Sequence, residues 1–261
     1  MPMKRSIRND HGIYIQIDGI DGSGKSTLSN SAIRFFAQKS KKILDTVERS
    51  KKYLTPPSQK QLEDIDILLT AEPTHSLTGY VIRQAIIKSG SNYNARLTAQ
   101  AYGLDRAFQI REIIQPFLNA KPNRWVIQDR GLISSTAYQT LQSEQNENEE
   151  ALTVDEICAM EGNRIALECP PDYFIFLDLD PRIAEQRLSN RTEKEDDAIF
   201  EKTDFQTQLA KRFLREDVLK PYKDAGVECI VLNGDQTREE ISEAFTNILI
   251  QIEKDHFSTQ E

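Results

Sequence analysis

The chain has 261 residues, with 33 Lys and Arg against 41 Asp and Glu, a formal charge of -8 and a sequence pI near 5.1. That length suits one α/β domain with small insertions, and the acidic balance disfavours nucleic acid or an anionic membrane as a partner, so a phosphate site must be a local basic pocket. No segment approaches the ~20 apolar residues of a membrane span, and Cys158, Cys169 and Cys229 are odd in number and far apart, which reads as reduced thiols in a cytoplasmic protein.

Residues 1–12 read as a polar leader, basic but without the apolar stretch of a signal peptide. Ile13-Tyr14-Ile15-Gln16-Ile17 follows as a buried strand. Next comes Gly19-Ile20-Asp21-Gly22-Ser23-Gly24-Lys25-Ser26-Thr27, which fits the phosphate-cradling pattern G-x-x-x-x-G-K-[ST]. Leu28, Ala32, Phe35 and Phe36 recur behind it at helical spacing. Strand, glycine loop and helix therefore stand in the order the motif requires. Glycines let the backbone approach an anion closely, successive N–H groups line a nest, and the helix N-terminus adds partial positive charge. Lys25 is expected to reach the β- and γ-phosphates of a nucleoside triphosphate, and the Ser26 hydroxyl to hold Mg²⁺. ATPases, GTPase switches and kinases share this motif.

Residues 40–66, rich in Lys, Gln and Ser and carrying Pro56-Pro57, read as an exposed insertion. Ile67-Leu68-Leu69-Thr70 is a second strand, ending in Ala71-Glu72-Pro73-Thr74. Val81, Ile82, Ala85 and Ile86 mark a helix stopped by Gly90, and a long helix covers about 95–119. Trp125-Val126-Ile127-Gln128 is a third strand, ending in Asp129-Arg130. A helix over 133–141 leads to a polar, acidic insertion at 142–150, then a helix over 154–167. Tyr173-Phe174-Ile175-Phe176-Leu177 is a fourth strand, followed by a helix beginning at Ile183. A charged stretch at 190–197 precedes a long helix ending near Tyr222. Cys229-Ile230-Val231-Leu232 is a fifth strand, and an amphipathic helix through Ile241, Phe245, Ile248 and Ile252 closes the chain. Five apolar strands alternating with helices predict a three-layer α/β P-loop fold, a five-stranded parallel sheet with helices on both faces, in one domain over 13–256. Ligands of such sheets bind beyond the carboxyl ends of the strands. Asp21 to Ser26, Glu72-Pro73, Asp129-Arg130, Asp178 to Asp180 and Asn233-Gly234 should converge there.

Asp129, ending a buried strand near the glycine loop, stands where a carboxylate can bind a metal or its waters. Arg130 beside it needs an anion, and its fork suits phosphate. Ser134 with Tyr138, and Ser135 with Gln139, share helix faces at i, i+4. At this point the chain resembles the thymidylate (dTMP) kinases. The glycine loop, Glu72-Pro73, Ile82-Arg83, Leu104-Asp105-Arg106 and Asp129-Arg130-x3-Ser134-Ser135-x-Ala137-Tyr138-Gln139 match that family in order, over roughly 12–255.

The resemblance implies that ATP donates a phosphoryl group to dTMP, giving dTDP and ADP, with Mg²⁺, in a cytoplasmic homodimer. It implies that Asp21 lies near the sugar and metal, Tyr102 stacks on thymine, and Arg106 donates to the base. Arg130 would hold the acceptor phosphate, Ser135 and Gln139 would touch the base edge, Ser134 would belong to the same substrate site, and Tyr138 would crowd the 2′ position. Pro73 matches a proline often cis in the family. A lid at 187–200 would bring Arg187 and Arg191 to the phosphates, since Gly22 stands where some relatives carry a catalytic arginine. Two departures stand out: Ala71 replaces an arginine before Glu72, and Gly131 replaces an aromatic after Asp129-Arg130. A deoxynucleoside kinase, with Glu72 as base, and a non-catalytic nucleotide-binding protein are the competing readings; a guanine-reading Asn-Lys-x-Asp is absent.

Overall fold

A computed structural model of the chain describes residues 11–189 and 203–257. Among these residues six strands form one sheet: β1 (Ile13–Asp18), β2 (Ile43–Asp45), β3 (Ile67–Ala71), β4 (Trp125–Asp129), β5 (Tyr173–Asp178) and β6 (Glu228–Asn233). Their order is β2-β3-β4-β1-β5-β6 and every pairing is parallel. Parallel neighbours need crossover connections, and helices supply them on both faces.

Side-chain alternation along the strands sends neighbours into two separate cores. Ile13, Ile15, Ile17, Leu69, Trp125, Ile127, Ile175 and Leu177 pack under one helical layer. That layer is Lys25–Gln38 and Arg238–Phe257, and Phe36 meets Trp125 edge-on at 5.0 Å. Tyr14, Leu68, Val126, Phe174 and Phe176 face the other core. It is covered by the helices Ala95–Gln109, Leu132–Glu144, Thr203–Phe213 and Glu216–Asp224.

The sixth strand corrects the expected five. It lies inside the stretch 40–66 that reads as an exposed insertion. Three residues are too few for periodicity to show, and β2 ends in a polar residue: the Asp45 carboxylate accepts from Val47 N (2.8 Å) and Glu48 N (3.1 Å), capping the helix Thr46–Ser50. The leader also ends earlier than position 12. Gly12 N donates to Leu118 O at 3.0 Å, and residues 1–10 lie outside the described residues.

Helix boundaries shift for local reasons. The long helix runs Ala95–Gln109, passes through a π-helical turn at Ile110–Ile114, and continues as Gln115–Ala120. Pro116, with no N–H to give, lies at that junction. The helix expected over 154–167 is two, Val154–Ala159 and Glu161–Glu168, broken at Met160 with ψ 137°. Leu132–Glu144 runs three residues past its expected end, into the 142–150 insertion. Register pairs Ile17 and Ala71 with Asp129, and Asp178 with Asn233, so the carboxyl ends of the strands finish level.

Candidate active site

The glycine loop leaves β1 and enters the helix Lys25–Gln38. Gly19, Gly22 and Gly24 have φ of 152°, 82° and 111°. At Gly22 a side chain is excluded twice, by the left-handed backbone and because a Cβ would lie 2.7 Å from Ala184 O. In this chain an arginine at this position would need the loop or the Ala184 backbone to shift. Lys25 is buried, its Nζ donating to Gly19 O (3.0 Å) and Ile20 O (3.1 Å) and lying 3.8 Å from Asp21. Burial lowers its pKa, and the neighbouring Arg130 guanidinium lowers it further.

Arg130 is the hub on the facing strand end. Its φ is 68°, and its N–H donates to Ile17 O at 2.8 Å, which ties β4 to β1 where both end. Nη2 bonds Asp21 at 2.5 Å, while Nη1 reaches Asp18 at 3.3 Å and Ser134 Oγ at 3.2 Å. The guanidinium also lies over the Tyr138 ring, 5.1 Å from its centroid. Burial opposes its charge, but Tyr138 and the carboxylates of Asp21, Asp18 and Asp129 hold it well above the ordinary arginine range. One carboxylate, Asp21, thus meets both Lys25 and Arg130.

Asp18 is missing from the sequence-level set. It is buried, accepting from Gly19 N, Ser134 Oγ (2.7 Å) and Arg130. Burial raises its pKa, against the pull of Arg130, Ser134 and Lys25. Gln206, on the helix Thr203–Phe213, meets both the backbone N–H and the carboxylate of Asp21 at 3.4 Å. The available signal for the first was a polar residue ending an apolar strand; for the second there was none.

A second set of groups lies beside this hub. The Glu72–Pro73 peptide is cis. Arg83 donates to Pro73 O and, at 3.3 Å, to Thr74 O, holding the turn that follows. Arg106 is only 1% exposed. It makes four hydrogen bonds, two to Glu72 Oε2 (2.9 and 2.6 Å), one to Ser135 Oγ (2.9 Å) and one to Asn163, which use four of the five guanidinium donors. Asp105 is occupied elsewhere, by Thr74 and Thr78. Burial pushes the Glu72 carboxyl up to about 7, with Arg106 opposing that rise. Tyr102 is pushed up to about 12 by burial, with Arg83 and Arg130 near enough to pull it back. Tyr138 packs against Phe205 and Phe213. Gln139 is buried, and its Oε1 has no protein partner.

Two observations bear on a metal. Asp129 Oδ1 is buried without a protein partner, while Ser26 is exposed on the first turn of the helix beyond the loop. Among the described residues no cluster of three or more His, Cys, Asp or Glu could hold a metal. The Asp129 and Ser26 oxygens are donors of the kind a hard cation takes alongside phosphate and water.

On the far side of the loop a cleft of about 850 Å³ is lined by Gly22, Gly24, Ser26, Thr27, Arg187 and Gln236. Arg187, on the helix Pro181–Ser189, donates to Gln236 O (3.0 Å) and Ser23 O (3.4 Å). The structure thus brings Arg187 to the glycine loop. Arg191 and the rest of the expected lid from 190 lie outside the described residues.

The sequence matches the family described as thymidylate kinase over residues 58–243. It is 28% identical over 239 residues to the thymidylate kinase of Bacillus cereus (strain B4264), covering 91% of this chain and 97% of that one. It is 28% identical over 247 residues to a probable thymidylate kinase of Thermococcus gammatolerans, covering 92% and 97%. The solved thymidylate kinase of Candida albicans superposes with a TM-score of 0.59 over 94% of both chains at 21% identity, a likeness of fold. With a single α/β architecture, a phosphate loop facing an arginine hub, and a family match spanning more than half its length, the chain belongs to the thymidylate kinase family.

Proposed function

We infer that the chain catalyses ATP + dTMP → ADP + dTDP, supplying a deoxynucleoside diphosphate for nucleotide biosynthesis. The observation that carries this reading is the meeting of Lys25 and Arg130 on Asp21, with the Glu72–Arg106 and Ser135–Gln139 groups alongside. A nucleotide switch has no use for that second set.

The γ-phosphorus loses its bond to the β–γ bridging oxygen and gains one to an oxygen of the dTMP phosphate. That oxygen is already ionised at neutral pH, so no general base is required. The obstacle is repulsion between two anions brought into line. Lys25 leaves its loop carbonyls for the β- and γ-oxygens of ATP, Arg130 holds the acceptor phosphate, and Arg187 covers the donor side. Asp21 keeps the two cations oriented while the cleft excludes water. Ser26 and the free Asp129 oxygen would hold Mg²⁺ or its waters; when bound, the ion neutralises phosphate charge. On the base, Arg106 keeps one donor for a carbonyl, Gln139 Oε1 accepts from a ring N–H, and Tyr102 supplies a stacking face. Tyr138, lying against the Arg130 guanidinium, would crowd a 2′-hydroxyl.

A coupled assay of ADP release over a panel of nucleoside monophosphates tests this: dTMP is expected to give the highest kcat/KM. A nucleoside kinase using Glu72 as base is less well supported, because Arg106 and Gln128 already occupy both Glu72 oxygens. Thymidine accepted in place of dTMP would overturn the monophosphate reading. The reading extends to a homodimer: Leu77, Val81, Leu97 and Leu104 stay exposed on two packed helices, an apolar face suited to a second copy. Cys158, Cys169 and Cys229 are joined by no disulfide, which favours the reducing cytoplasm.

A further inference from the structure

Gln16 is an amide in the middle of β1, a central strand that is otherwise largely apolar, and it is 3% exposed. Its Nε2 donates to Tyr14 Oη at 2.7 Å, and its Oε1 accepts from the Tyr222 hydroxyl. Tyr14 Oη in turn donates to Gln128 Oε1 at 2.8 Å. Gln128 Nε2 divides its two donors between Glu72 Oε1 (2.9 Å) and Arg130 O (2.8 Å). Glu72 then holds Arg106. The donors run one way from the helix Glu216–Asp224 through β1 and β4 to the Arg130 carbonyl and to Glu72, which also accepts from Arg106.

Gly131 is the other half of the arrangement. Its φ of -173° is extended and open to any residue. What excludes a side chain is the Gln16 amide: a Cβ at 131 would lie 2.3 Å from Oε1, 2.5 Å from Cδ and 2.6 Å from Nε2. Gln16 therefore occupies the space that a larger residue after Arg130 would need. Such a residue would have to expel the amide and break the chain where Gln16 joins Tyr222 to Tyr14. A buried polar chain broken in the middle leaves unpaired groups that cost more than the lost bond alone.

We propose that Gln16, seated in the space left by Gly131, is a positioning residue for the acceptor nucleotide. Through Tyr14 it orients Gln128, and Gln128 sets both the Glu72–Arg106 pair and the backbone of Arg130. It touches neither nucleotide. The inference rests on reading this half of the cleft as the acceptor site.

The test is a double-mutant cycle on Gln16→Ala and Gly131→Ala, together with Gln16→Leu, reading KM for ATP, KM for dTMP and kcat. Gln16→Leu is expected to raise the dTMP KM about tenfold while the ATP KM moves less than twofold, the loss of roughly one buried charge-linked bond. Gly131→Ala is expected to raise the dTMP KM in the wild-type background and to leave it unchanged beside Gln16→Ala, since the clash is then gone. Additive effects, or ATP and dTMP KM values rising together, would overturn the proposal. Should Gln16→Leu fail to fold, Tyr14→Phe breaks the same chain with one atom removed, and an unchanged dTMP KM there overturns it equally. A wild-type protein inert toward dTMP refutes the substrate reading instead, and the cycle is then read with whichever monophosphate it turns over.

Discussion

At the scale of single residues the site depends on one crowded set of charges. Arg130 is held by two aspartates and a tyrosine face, and on the proposed reading its removal would deprive the acceptor phosphate of its main partner. Arg130→Ala should lower kcat/KM for dTMP by at least about a hundredfold, comparable to losing one preorganised donor. Circular dichroism should stay native. Glu72 gives a pH signature. Its folded pKa of about 7 lies above the ordinary glutamate value of 4.5, so the folded chain binds this proton more tightly. The group's contribution to stability is full below about 4.5 and is lost as pH rises through about 7. Glu72→Gln cannot titrate, so the difference in melting temperature between it and the wild type should change across that window and level off above it. A pH-independent difference would contradict the assignment.

At the scale of elements, the carboxyl ends of β1, β3 and β4 lead into Asp18, Glu72 and Arg130, and the helix Pro181–Ser189 brings Arg187 to the glycine loop. Arg187→Ala should raise the ATP KM about tenfold while moving the dTMP KM little, because its bonds run to Ser23 and Gln236 on the donor face. Equal effects on both substrates in steady-state kinetics would deny that division. Away from the site, Thr153 and Glu156 form a reciprocal cap on Val154–Ala159. Thr153→Ala should therefore cost about 1 kcal/mol in chemical denaturation without changing turnover. The sequence made much of this legible. The glycine loop and the run from Asp129 to Gln139 declare themselves because spacing alone places their groups. β2 did not, being three residues long. The chain from Tyr222 to Arg106 did not either, because its members are scattered over five elements and only packing joins them. Arg106 was singled out in the sequence, but its buried tie to Glu72 was not legible there, since the two lie 34 residues apart.

At the scale of the whole molecule, an acidic chain builds a small basic centre inside its own negative surface. The exposed apolar face predicts association. Leu104, 60% exposed, should lie in the contact between copies, and Leu104→Arg should shift sedimentation from dimer to monomer. A wild-type monomer at micromolar concentration would contradict this. The central claim is that fixed cations let two phosphates meet in line. It is tested most directly by following the γ-³²P label of ATP in the presence of dTMP, thymidine or no acceptor. The label should pass to dTDP with dTMP, and neither to thymidine nor to free phosphate. Label recovered in dTMP from thymidine, or in inorganic phosphate at a rate independent of dTMP, would contradict it.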